Sequence, residues 1–79
     1  MIEQVLQAIR GAFQPDRMVS HLNETAGRVY GSVDVVGSPI FDSLDDIRRQ
    51  RLLWQKLDEV LGAQCTQVGP IVLEPINRG

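Results

Sequence analysis

Soft metal ligands are scarce in this chain. Cys65 is the only cysteine and His21 the only histidine among 79 residues. One thiol excludes an internal disulfide and any all-thiolate metal site built from a single chain. One imidazole leaves a conventional zinc site short of ligands and allows no nucleophile–histidine pair with a supporting carboxylate to be assigned, so a non-enzymatic protein is expected. Long apolar runs are also missing, so no segment is expected to span a bilayer. The opening Met1-Ile2-Glu3-Gln4 lacks the basic start of a secretory signal, and a cytoplasmic location is the expectation. Positive charge is short as well. The net charge is −2 and the isoelectric point near 5.1, so the chain as a whole has no field to draw in nucleic acid, and any such contact has to be local.

What is present is ordinary for a globular protein. Hydrophobic residues make up 43% and charged residues 23%, too apolar a mixture for disorder. The length suits one domain, residues 1–79, whose single core supplies only about 3–5 kcal/mol of net stability.

Spacing along the chain places the elements. Ile2, Val5, Leu6, Ile9 and Phe13 recur at helical intervals, predicting a first helix over residues 2–13 that stops before Pro15. From Arg17 to Glu24, Met18, Ser20 and Leu22 alternate with Val19, His21 and Asn23, the pattern of a strand. Asn23-Glu24-Thr25-Ala26-Gly27 reads as a turn. After it Val29, Gly31, Val33 and Val35 alternate with Tyr30, Ser32 and Asp34, which predicts a half-buried strand with the valines inward. Gly37-Ser38-Pro39 breaks the sheet. Phe41 to Leu61 then reads as helical, either continuous or broken into a short piece and a long one, with Ser43-Leu44-Asp45-Asp46 as a capping start and Gly62 as its end. Ala63 to Gln67 reads as a polar loop. Val68 to Glu74 supplies a last strand, which Pro70 and Pro75 confine to an edge or a strand start.

This order, α-β-β-α-β, predicts an α+β fold. A hairpin is followed by a crossover helix that brings the last strand in parallel, and two helices pack on one face of a small three-stranded mixed sheet.

The long helix carries an anomaly. Leu53, Trp54, Leu57, Val60 and Leu61 gather on one side, and Gln50 falls within roughly 20° of Leu57 at 100° per residue. Buried without hydrogen bonds, that amide costs about 1–3 kcal/mol, so Gln50 is either satisfied by the fold or kept for an interaction. Just beside it Arg48, Arg49 and Arg51 cluster behind Asp42, Asp45 and Asp46. Asp45 and Arg49 are spaced for an i,i+4 pair, which points to a self-neutralised helix surface rather than a phosphate cradle.

Ala12-Phe13-Gln14-Pro15, Asn23-Glu24-Thr25, the spaced set Phe41, Arg49, Arg51, Leu52, Leu53, Trp54 and Leu57, and the closing Val68 to Leu73 together resemble the BolA family over nearly the whole chain. The spacing from Phe41 through Arg51 to Leu57 agrees without gaps, while the Gly62 to Gln67 loop is longer than the family's. The resemblance implies a class II K-homology-like fold and a regulatory, non-enzymatic role, in stress response among other settings. It also implies association with a monothiol glutaredoxin through a shared [2Fe–2S] cluster.

The departures bear on that role. Gln50 stands where the family carries the histidine of an Arg-His-Arg element, and Gly69-Pro70-Ile71 stands where it carries His-Ala-Leu. The latter histidine is the family's cluster ligand, joined by a His or Cys of the hairpin loop, and Asn23 to Arg28 contains neither. An amide or a glycine cannot replace an imidazole at cluster iron, so no cofactor is expected and standard cluster sharing is disfavoured. Cys65 and His21 are the candidates left for metal chemistry, and each has a plainer reading, a lone loop thiol and an exposed strand residue. Arg48, Arg51, Gln50 and Gly69 are the candidate partner contacts. The alternative is nucleic acid. Gly37-Ser38-Pro39-Ile40 is not a Gly-x-x-Gly loop and acidic residues follow it, which disfavours that reading, yet Arg48 and Arg51 lie on the outward side and can reach a backbone. A third reading makes Trp54 the anchor of a protein-docking surface, against its use as core.

Overall fold

The computed structural model describes residues 1–75. Its elements run α1 (Ile2–Phe13), β1 (Arg17–Thr25), β2 (Arg28–Val36), α2 (Pro39–Asp42), α3 (Asp46–Leu61), a 3-10 helix (Gly62–Gln67) and β3 (Val68–Pro75). The three strands form one sheet in the order β1-β2-β3, antiparallel between β1 and β2 and parallel between β2 and β3. Both long helices cover one face, and the architecture is the expected α+β arrangement.

The helical region is divided, because two capping residues compete for it. Ser38 accepts from the Phe41 N–H at 3.0 Å and starts α2, with Pro39 at its first turn. Asp45 accepts from the Arg48 N–H at 2.9 Å and starts α3. Ser38 also donates its hydroxyl to the Phe13 carbonyl, tying the end of α1 to the start of α2. Phe13 and Phe41 then meet edge to face, 5.1 Å apart at 82°. This pair is fully buried with Val5, Ile9, Val29, Val33, Leu53 and Leu57.

Three local expectations change. The turn is tighter than Asn23 to Gly27: β1 continues to Thr25, and only Ala26 and Gly27 make the loop, both at positive φ (53° and 76°). Such a two-residue loop matches the right-handed twist of the strands it joins, but alanine is an unusual first residue for it, which hid how short the turn is. Val60 is exposed (42%) rather than buried, since it lies about 60° round the helix from Leu57, on the rim of the stripe. Ala63 to Gln67 belongs to the 3-10 helix rather than an open loop.

The sheet's two seams are built differently. Every residue of β1 from Arg17 to Thr25 has a partner on β2. Between β2 and β3 the register slips, Val29 facing Val68 but Gly31 facing Ile71, so that Gly69 and Pro70 together stand against Tyr30. A bulge of this kind absorbs Pro70, which has no N–H to offer, and β3 is the edge strand its prolines require.

Candidate functional site

The seam between the start of α3 and β3 gathers the side-chain hydrogen bonds of Arg49 and Gln50. An open groove of about 240 Å³ runs there, lined by Asp46, Arg49, Gln50, Ile71, Val72 and Leu73. It is smaller than the usual small-molecule pocket of ~300–1,000 Å³ and suits a few side chains of a partner better than an enclosed substrate.

Gln50 forms its floor. Its Nε2 donates to the Ile71 carbonyl at 2.8 Å, and its Oε1 accepts from the Trp54 indole N–H at 3.3 Å. Of the two roles open to this amide, the fold therefore uses it. Gln50 ties α3 to the edge strand, and Trp54, one helical turn on, is half-buried and held by the same amide. Trp54 thus contributes to the partly buried shell around the core.

Arg49 is equally committed. Its guanidinium lies 3.9 Å over the Phe41 ring, its Nε donates to the Phe41 carbonyl at 2.8 Å, and its Nη1 lies 3.4 Å from an Asp46 carboxylate oxygen. The side chain is only 13% exposed. The ion pair forms with Asp46 and not with Asp45, because Asp45 is occupied as the cap of α3. Self-neutralisation is consequently partial. Arg48 and Arg51 are exposed neighbours on one helix face, and among the described residues neither has a carboxylate within salt-bridge distance.

Gly69 sits in the bulge of β3, two residues before Ile71 of the groove. A Cβ placed on it would meet the Tyr30 Cβ and the Val29 carbonyl oxygen at 3.4 Å, ordinary contact, so space does not dictate glycine here. The Gln50 amide on α3 thus reaches the strand that carries Gly69, with Arg48 and Arg51 exposed on the same helix.

The two metal candidates stay apart. His21 is on β1, exposed, with its Nε2 3.2 Å from an Asp34 carboxylate oxygen on the open face of the sheet. Cys65 is a half-buried thiol in the 3-10 helix leading into β3 and packs against the core. His21 lies on β1 and Cys65 just before β3, the strands at opposite edges of the sheet. Among the described residues no group of three His, Cys, Asp or Glu side chains is placed to hold a metal ion.

The grouping of Asp46, Ile71, Val72 and Leu73 around one groove was not read from the sequence, and neither was Arg49 as a buried cation. No local pattern marks them, since their grouping depends on which strand the helix meets.

No family model matches the chain, and no curated protein matches it in sequence. Among solved structures it is similar to one described as a crystal structure of a Bol-like protein from Babesia bovis, at 18% identity and a TM-score of 0.65. That superposition covers 98% of this chain and 84% of the other. The fold is BolA-like. In this BolA-like fold the groove and Gln50 occupy the junction of α3 and β3. No described helix is long and apolar enough to cross a membrane.

Proposed function

We propose that the protein is a non-enzymatic, BolA-like regulatory adaptor. It acts by protein association at the α3–β3 groove, with a monothiol glutaredoxin as its partner and without supplying the family's iron–sulfur ligands. The observation that carries this reading is Gln50. In a BolA-like fold, the residue at the position of a family histidine is an amide already spent on Ile71 and Trp54. The residues present do not fit a shared cluster: Gly69 has no side chain, the hairpin loop has no imidazole or thiol, and Cys65 is a single thiol packed against the core.

Mixing the protein with a cluster-loaded monothiol glutaredoxin, and recording particle size and visible absorption, tests both halves. The expected result is a heterodimer whose cluster spectrum is that of the glutaredoxin alone. Gly69→His, whose Cβ the bulge admits at ordinary contact distance, is expected to change that spectrum. Absence of a complex would overturn the partner. A changed spectrum with the unaltered chain, persisting in Cys65→Ser/His21→Ala, would overturn the ligand argument.

The exposed Arg48 and Arg51 favour a second reading, a K-homology-like contact with a nucleic-acid backbone. Salt-dependent binding to single-stranded oligonucleotides, lost in Arg48→Ala/Arg51→Ala, supports it; no binding at low salt removes it.

A further inference from the structure

The sheet has two edges, and they are protected unequally. β3 carries Pro70 and Pro75, its ladder is interrupted by the bulge, and Gln50 takes up the Ile71 carbonyl from the side. Those are the devices that keep an edge from pairing with another chain. β1 has none of them. It is nine residues long without proline, and all of it except Met18 and Leu22 is exposed.

The hairpin fixes which groups that edge presents. With a two-residue loop, Thr25 and Arg28 form the closing hydrogen-bonded pair. Alternation then turns the main chain of Val19, His21 and Asn23 toward β2, and that of Met18, Ser20, Leu22 and Glu24 outward. The Leu22 N–H shows this directly, finding only the Ser20 hydroxyl of its own strand at 3.4 Å. Met18 and Leu22 are also the half-buried apolar side chains of β1, packed against the rim of the core.

We infer that β1 is a homodimerisation edge. A second copy of this chain adds antiparallel across a two-fold axis at Ser20 and continues the sheet from three strands to six. An antiparallel strand can pair with itself only where outward-facing groups meet outward-facing groups, which requires an axis on one residue rather than between two. An axis at Ser20 sets Met18 against Leu22 of the second copy and Leu22 against its Met18. The axis itself is a small side chain, and on the order of six main-chain hydrogen bonds form. An axis at His21 sets Met18 against a carboxylate, Glu24, and brings two imidazoles face to face. An axis at Leu22 leaves Met18 unpaired and opposes Ser20 to Glu24. Only the Ser20 register gives both Met18 and Leu22 an apolar partner on the core side, and it keeps the helices of both copies on one face. The groove at α3–β3 lies on the opposite edge and stays open, so this association is independent of the adaptor reading.

Sedimentation across a concentration series tests it on the intact chain. The expected result is a concentration-dependent doubling of mass, weakened at least tenfold by Ser20→Pro and by Leu22→Lys. Both variants keep the β1–β2 ladder, because the N–H lost in Ser20→Pro faces outward and Leu22→Lys leaves the main-chain donors and acceptors in place. In a Cys65→Ser background, Ser20→Cys is expected to form an intermolecular disulfide on mild oxidation, and His21→Cys to form little. A monomer at roughly 1 mM would overturn the inference. So would a dimer that survives both edge variants, or preferential trapping through His21→Cys.

Discussion

β2 is held on its two sides by different means. Toward β1 the attachment is an unbroken antiparallel ladder, with only Met18 and Leu22 of β1 reaching the core rim. Toward β3 the ladder is parallel and interrupted, and side chains compensate: Ile71 and Leu73 are buried, and the Gln50 amide fastens the strand to α3. One seam depends on backbone geometry, the other on packing and one amide. They should therefore fail to different substitutions, and the edge that needs less help from side chains is the one left open to other chains.

Gly31 tests the backbone seam most severely. Its φ is +136°, and a Cβ built there would lie 2.3 Å from the His21 carbonyl oxygen and 3.1 Å from the Leu22 Cα. These are main-chain atoms, so nothing flexible can give way, and β1 must move off β2. Gly31→Ala is expected to destabilise the protein by about 3 kcal/mol in urea denaturation. That is comparable to the whole stability of a domain this small. A loss below about 1 kcal/mol would show that the β1–β2 approach is looser than the geometry implies.

Gln50→Ala tests the other seam. It removes the donor to Ile71 and the acceptor for Trp54, both half-buried, with an expected cost of about 1–2 kcal/mol. The change should be local. Amide exchange in β3 and the 3-10 helix is expected to accelerate well before exchange in β1 and β2. Uniform acceleration across the sheet would mean that the two seams are one cooperative unit and that the contrast between them has no energetic content.

How much of this was legible beforehand follows the same division. Element positions and the parallel crossover came from periodicity and breakers, because Val29, Val33 and Val35 alternate cleanly and Pro15 and Gly37 interrupt the chain where the elements end. The edge position of β3 was one of the two that Pro70 and Pro75 allowed, an edge or a strand start. Gln50 announced itself as a polar residue on an apolar stripe, but its partner did not, since Ile71 is 21 residues away and the acceptor is a carbonyl that every residue possesses. Arg49 was misread for the converse reason. A plausible i,i+4 carboxylate, Asp45, stood near, while its real contacts, the Phe41 ring and carbonyl, lie across the break between α2 and α3. The groove has no signature of its own. Candidate residues on one helix could be named from spacing, whereas those contributed by the strand it meets needed the tertiary structure.

The smallest effect, with the opposite sign, comes from the hairpin that sets the β1–β2 register. Ala26 holds φ 53° at the first loop position, where a Cβ-bearing residue without a local side-chain hydrogen bond is strained, and Gly27 follows at 76°. Ala26→Asn keeps the two-residue loop and replaces alanine with the residue that tolerates this conformation best after glycine, for an expected gain of about 0.5–1 kcal/mol. Because Thr25 and Arg28 remain the closing pair, the parity of outward-facing groups on β1 is unchanged, and so is any association through that edge. Thermal denaturation should then show a higher midpoint, at a protein concentration where the oligomeric state matches that of the unaltered chain. A destabilised variant would mean that the loop is not of the two-residue, positive-φ kind, and the register on which the β1 edge depends would have to be drawn again.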